Sequence, residues 1–297
     1  MAGLPATITV PRRPLGKSGI EVPALGVGTN RWSQGVNDGA VRETWQALLD
    51  SGVNFLDTAE VYGFGKSERL IGDVLKGDPR PAIIASKFAP FIARTSPKQL
   101  LAALDASLAR LGRESLDLYY VHFPFPFTPL ESFAEGLIEA VKSGKAKAVG
   151  VSNFGAEAMR RMVDLLGRAG VPLAANEVHY SLVNRKPETN GVLDACRELE
   201  VALVAYFPLA SGRLTGAGGG SDAKLGELQR VLAEVGQAHQ GSAGQAALNW
   251  LLARDPHVIP IPGASKARHA ADNIAALRWT LSADELAAID KVSAAAA

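Results

Sequence analysis

Eight short apolar runs, each followed by a stretch of helical periodicity, occupy almost all of this 297-residue chain, and that alternation leaves few folds open. The runs are ALGVG (24–28), NFLDT (54–58), AIIASK (82–87), DLYYVH (117–122), AKAVGVS (146–152), LAANEVH (173–179), ALVAYF (202–207) and HVIPIP (257–262). Several are apolar on both faces, so each strand must be covered twice, by a closed interior and by an outer layer of helices. The expectation is an α/β chain folded as a (β/α)8 TIM barrel. Helical signals are clearest in SPKQLLAALDASLARLG, where Ser96 is a natural N-cap, Pro97 suits the first turn, Gln99 completes a capping box and Gly112 supplies the stop.

Two segments fall outside the eightfold repeat. RRPLGKSGIEVP (12–23) reads as a β-hairpin turning at Lys17, Ser18 and Gly19, placed to close the bottom of the barrel. TGAGGGSD (215–222) reads as a flexible loop on the seventh strand-to-helix connection, where mobility suggests a gate over a ligand or a tolerated insertion. The expected organisation is one barrel domain over 12–292, with flexible termini at 1–11 and 293–297.

Composition excludes several partners. With 47% hydrophobic residues, a formal net charge of +1 and basic residues scattered along the chain, there is no footprint for nucleic acid or an anionic membrane. No apolar run approaches the roughly 18 residues that span a bilayer. A single cysteine, Cys196, excludes an intrachain disulfide, and five histidines form no zinc spacing. The reading is a cytoplasmic protein with a small-molecule partner, a monomer or weak homo-oligomer, whose N-terminus carries no secretory signal.

Asp57, Tyr62, Lys87 and His122 fall at or just past the downstream ends of three consecutive strands, with spacings 87 − 57 = 30 and 122 − 87 = 35 that each fit one strand plus one helix. That rim is where a β/α barrel does its chemistry. Singly, each has a structural explanation: a satisfied salt bridge, a packed tyrosine, a hydrogen-bonded core histidine. Together they suit carbonyl reduction. A phenol titrating near 10 needs a neighbouring ammonium to lower it, which Lys87 can supply while Asp57 keeps that lysine protonated. His122 can polarise a substrate oxygen.

The motifs DTAEVYG, ASKF, YYVHFP and VGVSNF, continued by LAANEVHYSLVNR, VAYFPLASGRLTG and IPIPGASKARHAADNI in that order, resemble the aldo-keto reductase superfamily over roughly residues 12 to 292. The resemblance implies an NAD(P)H-dependent reductase with Asp57, Tyr62, Lys87 and His122 as the tetrad and Tyr62 as general acid. It implies that Ser152 and Asn153 hold the nicotinamide carboxamide, although these residues also suit a helix cap. Tyr206 would stack on the nicotinamide, Leu209, Ser211, Gly212 and Leu214 would pass the pyrophosphate, and Ser265, Lys266, Arg268 and Asn273 would meet the 2′-phosphate and adenine. NADPH (NADP+) is the expected cofactor, with NADH possible.

Three positions depart from the family pattern. Glu177 stands where Gln is usual, so the second carboxamide contact uses a carboxyl or is lost. His269 stands where many members carry Arg, with Arg268 about 100° earlier on the helix. Phe207 replaces a commoner Ser. The expected substrate pocket is aromatic, lined by Trp32, Phe64, Phe88, Phe123, Phe125 and Phe127 and left open by the short C-terminus. The substrates implied are small aldehydes, sugars or pyridoxal-like rings. Alternatives are an NAD-dependent sugar or alcohol dehydrogenase, a Schiff-base aldolase through Lys87, and a non-catalytic cofactor-binding regulatory subunit.

Overall fold

A computed structural model describes residues 10–92, 94–126, 128–216 and 223–296. Phe127 and most of the Gly-rich loop expected at 215–222 lie outside the described residues. Two short antiparallel strands, β1 (Arg12–Pro14) and β2 (Glu21–Pro23), precede eight parallel ones: β3 (Val27–Gly28), β4 (Phe55–Asp57), β5 (Ile83–Phe88), β6 (Leu116–Val121), β7 (Ala146–Ser152), β8 (Leu173–His179), β9 (Ala202–Tyr206) and β10 (Val258–Pro260). The eight pair in sequence order, and the first meets the last through Gly26 N–H to Pro260 O (3.0 Å), Gly28 N–H to Pro262 O (3.3 Å) and a bridge between Gly28 and Gly263. The result is the expected (β/α)8 barrel.

Helices α1 (Asp38–Asp50), α2 (Lys66–Leu75), α3 (Pro97–Leu111), α4 (Leu130–Lys142), α5 (Ala156–Gly167), α6 (Lys186–Thr189), α7 (Val192–Leu199), α8 (Ala223–Ala238), α9 (Ala243–Arg254), α10 (Ala267–Ala275) and α11 (Ala283–Ala296) alternate with the strands or extend the connections. The capping of α3 follows the sequence: Gln99 N–H donates to Ser96 Oγ, Gln99 Oε1 accepts from Ser96 N–H, Pro97 opens the helix, and Gly112 closes it at φ 64°.

Alternation along the strands makes two layers of core. Phe55, Ala85, Leu118, Ala148, Ala175, Val204 and Ile259 point into the barrel, while their neighbours pack outward against the helices. The hairpin closes the N-terminal end, as the sequence suggested: Leu15 and Val22 are fully buried in the interior cluster. Gly16 is required there, because at φ +52° a Cβ would stand 2.7 Å from Ala174 O and 2.8 Å from Glu200 O. Arg13 fastens the hairpin by donating to the carbonyls of Leu252 (2.7 Å), Asp255 (2.9 Å) and Val258.

Of the ends expected to be flexible, residues 1–9 and 297 lie outside the described residues, and the described parts make contacts. Val10 packs against the core and Pro11 O accepts from Ala24 N–H at 2.7 Å. At the other end α11 runs to Ala296, with Ser293 buried and its hydroxyl donating to Leu182 O at 2.7 Å. Among the described residues no helix is long and apolar enough to cross a membrane.

Candidate active site

The interior alternation that builds the core also builds the site. Two residues downstream of Phe55, Ala85, Ala175 and Val204, on the same inward face, stand Asp57, Lys87, Glu177 and Tyr206; Tyr120 and His122 continue the face from Leu118, and Gly150 and Ser152 from Ala148. Polar groups thus crown an apolar barrel at its C-terminal rim, Asp57, Lys87, Ser152 and Glu177 among them buried. Gly150 is the exception in size, and for a reason: a Cβ there would lie 2.6 Å from the Tyr120 ring.

Asp57, Tyr62, Lys87 and His122 come together at this rim. Lys87 Nζ, fully buried, donates to Asp57 Oδ1 and, at 3.0 Å, to Thr58 O. It lies 5.3 Å from the centroid of the Tyr62 ring. Tyr62 and His122 rings meet edge to face at 5.8 Å. The Asp57, Tyr62 and His122 side chains line one cavity of about 640 Å³, within the usual range for ligand pockets.

Glu177 joins this group. The residue is 2% exposed and its Oε2 lies 3.2 Å from Lys87 Nζ, so two carboxyls face one ammonium. Burial drives both carboxyls above the ordinary carboxylate range, with Lys87 pulling each back down. For Lys87, burial favours loss of the proton, but Asp57, Glu177 and Tyr62 outweigh it, and the group is held firmly as an ammonium. Burial first, and Lys87 second, lower the His122 imidazole to about 3, so the ring is neutral across physiological pH.

The expected lowering of the Tyr62 phenol is overturned. Burial dominates and raises it; the pull of Lys87 is opposed by Glu177 and Asp57. The sequence shows the neighbouring ammonium but neither the desolvation nor the second carboxyl.

Ser152 is buried at the end of β7 and lines the cavity. Asn153 follows in a left-handed conformation (φ 61°); its amide donates to His122 O (3.1 Å) and Ser152 Oγ (3.0 Å) and accepts from Tyr206 Oη (2.9 Å). Neither residue caps α5, whose N-cap is Gly155. The Tyr206 ring lines the cavity with His179 stacked 5.4 Å away. Leu209, Ser211 and Gly212 line the same cavity, Ser211 and Gly212 both at positive φ, whereas Leu214 is fully buried in the core. At the far end, Ser265 and Asn273 line the cavity, while Lys266 and Arg268 are exposed beside it. His269 and Asp272 occupy the lining there, the latter accepting from Gln245 Nε2 (2.7 Å) and Ser242 Oγ (3.1 Å).

The cavity has the chemistry of a dinucleotide site. Polar groups at Ser152 and Glu177, a flat ring at Tyr206, backbone free of side-chain bulk at Gly212 and Gly263, and the N-terminus of α10, with no side-chain cap hydrogen bond at Lys266, follow one another along it. Three residues of its lining hold buried polar atoms without hydrogen-bond partners: Asp57 Oδ2, Glu177 Oε2 and His122 Nδ1. These fit a cofactor and substrate that bring donors and acceptors with them.

The aromatic residues expected around the substrate sit outside this cavity. None of Trp32, Phe64, Phe88, Phe123 and Phe125 belongs to the cavity lining. Trp32 and Phe88 are fully buried core residues, the indole N–H of Trp32 donating to Ala264 O at 2.6 Å. Phe64 is 94% exposed, and Phe125 packs against the outer core. Phe123 stays near the chemistry, 5.8 Å from the His122 ring and edge-on to Phe91. Sequence reasoning missed Asn30 and Arg31, which line the cavity from the end of β3, though the rule that found the tetrad, polar residues just past a strand end, also marks them.

Comparison with known proteins agrees with this geometry. The profile of the Aldo/keto reductase family matches residues 24–294. The chain is 35% identical to the L-glyceraldehyde 3-phosphate reductase of Escherichia coli, covering 93% of this chain and 90% of that one. It is 31% identical to the chloroplastic pyridoxal reductase of Arabidopsis thaliana, covering 90% and 82%. An aldo-keto reductase from Klebsiella pneumoniae, solved in complex with NADPH, superposes with a TM-score of 0.81 at 27% identity over 96% of each chain.

Proposed function

This chain belongs to the aldo/keto reductase family and is an NAD(P)H-dependent oxidoreductase, and from that premise we propose that it reduces aldehydes or ketones to alcohols with NADPH, Tyr62 giving the proton. The observation that carries the reading is the convergence of Tyr62 and His122 on one cavity, with Lys87 buried beside the Tyr62 ring and dinucleotide chemistry at the cavity's other end. Ser152, Asn153 and Glu177 are the residues to hold the carboxamide, Tyr206 to face the nicotinamide ring, Ser211 and Gly212 to pass the pyrophosphate, and Ser265, His269 and Asn273 to receive the adenosine end. When bound, the reduced cofactor supplies the hydride that goes to the carbonyl carbon.

The protein's own part is proton delivery and charge stabilisation. His122, neutral and lined up at the cavity wall, donates a hydrogen bond to the carbonyl oxygen as negative charge builds there. Tyr62 transfers its hydroxyl proton to that oxygen, and Lys87 stabilises the phenolate left behind. Asp57 holds Lys87 charged and in place. A lysine kept so firmly protonated is a poor nucleophile, which argues against the aldolase alternative.

The substrates named for the relatives, L-glyceraldehyde 3-phosphate and pyridoxal, support small polar aldehydes as the class. NADPH is favoured by the NADPH-bound structural neighbour and by a relative named for NADP(+). Asp272 in the lining favours a second reading, use of NADH, because a carboxylate suits a ribose hydroxyl better than a phosphate. Fluorescence titration of the purified protein with each cofactor tests both. Tight NADPH quenching with much weaker NADH binding is expected; binding of neither refutes the reductase reading.

A further inference from the structure

Glu177 is more than a cavity wall. Glu177 and Asp57, residues 2% and 1% exposed, share the single cation Lys87 between their carboxyls. The charged and titratable groups facing it are Asp57 from β4, Tyr62 from the turn after it, Lys87 from β5, Tyr120 from β6 and Tyr206 from β9. Only one of these is cationic. Two ionised carboxylates against one ammonium would leave a net negative charge in the low-dielectric mouth of the barrel, so the cluster retains one extra proton. Asp57 takes the hydrogen bond from Nζ, and the contact between the two carboxyls favours the charged form of Asp57 and the acid form of Glu177. The extra proton therefore resides on Glu177.

We propose that Glu177 is the proton store of this site, a positioning carboxylic acid that refills Tyr62 through Lys87 once Tyr62 has protonated the substrate oxygen. The inference rests on the carbonyl-reductase reading above. The proton balance closes within the protein: the Tyr62 O–H bond breaks as the substrate O–H forms, Lys87 passes an N–H proton to the phenolate, and Glu177 passes its O–H proton to Lys87. The net change in the protein is one carboxylic acid converted to carboxylate. Because Glu177 lines the cavity, one proton from solvent restores it. Burial and Asp57 hold its carboxyl well above the usual range, against the pull of Lys87, which keeps the acid form available near neutrality. A neutral Glu177 also removes one of the two carboxylates that oppose the pull of Lys87 on Tyr62.

Glu177→Gln tests the idea because glutamine keeps the size and an acceptor for Lys87 but carries no acid proton. Infrared spectra of the unliganded protein near neutral pH should contain a protonated carboxylic acid band that the variant lacks. In turnover, the variant should lose about tenfold or more in reductive kcat with little change in carbonyl KM, the loss being reversed by small acids added to the buffer. Glu177→Asp, which keeps an acid, should restore buffer independence. Absence of the band from the wild-type spectrum, or a buffer-independent Gln variant, overturns the proposal. If the wild type shows no carbonyl-dependent turnover, the reductase reading fails instead, and the infrared band alone decides whether Glu177 holds a proton.

Discussion

Lys87→Met removes the one cation shared by Asp57 and Glu177 and replaces it with an apolar side chain of similar length. Breaking a buried ion pair this way costs about 3–5 kcal/mol when the orphaned charges cannot escape. Here they escape by binding protons, so the cost depends on pH. In the wild type the cluster holds one extra proton, with one carboxylate ionised opposite Lys87; in the variant both carboxyls must stay protonated. Both carboxyls already stand above the ordinary range in the folded protein, with burial as the leading cause. A raised folded-state value means the folded protein binds more protons than the unfolded chain, so stability falls as pH rises from the unfolded carboxylate value to the folded one. The variant holds one proton more than the wild type in that window. Its deficit should therefore grow by about 1.4 kcal/mol per pH unit, or about 2.8 kcal/mol between pH 6 and 8. Urea unfolding of both proteins at several pH values measures this. A deficit that does not change with pH would refute the one-proton account of the cluster.

Two further outcomes follow from the same geometry. His122 is held neutral, its imidazole lowered to about 3, so reductive kcat/KM should show no limb between pH 5 and 8 that disappears in His122→Asn, while that variant loses about 10- to 1000-fold in kcat/KM; a limb lost on substitution would mean the ring titrates. His269 lines the end of the cavity proposed for the adenosine, where Arg268 does not, so His269→Arg should tighten NADPH by about tenfold with no comparable gain for NADH in fluorescence titrations, and equal gains would place the phosphate elsewhere.

The fold was legible because doubly covered parallel strands have a plain signature: runs such as ALVAYF and AKAVGVS have no polar face and can only be strands inside a helical shell. Asp57, Lys87 and His122 were legible for a related reason, since polar residues ending such runs have no place but the rim. Position along a strand end does not give direction, however. Trp32 and Phe88 read as pocket walls but pack in the core, because an aromatic near a strand end looks the same whichever way it turns. Arg268 and His269 are adjacent in sequence, yet only His269 lines the cavity. The environment of Tyr62 was beyond reach for another reason: its sign depends on how far burial and Glu177, brought in from a strand more than a hundred residues away, outweigh Lys87.

Tyr62 is proposed to deliver the proton in an NADPH-dependent carbonyl reduction. The most direct test is carbonyl-dependent consumption of NADPH by the wild type and by Tyr62→Phe across a set of small aldehydes, with cofactor affinity measured in parallel. The account predicts turnover by the wild type and a loss of about 100-fold or more in kcat for the variant, with NADPH bound nearly as tightly. A Tyr62→Phe protein that keeps the wild-type rate would contradict it.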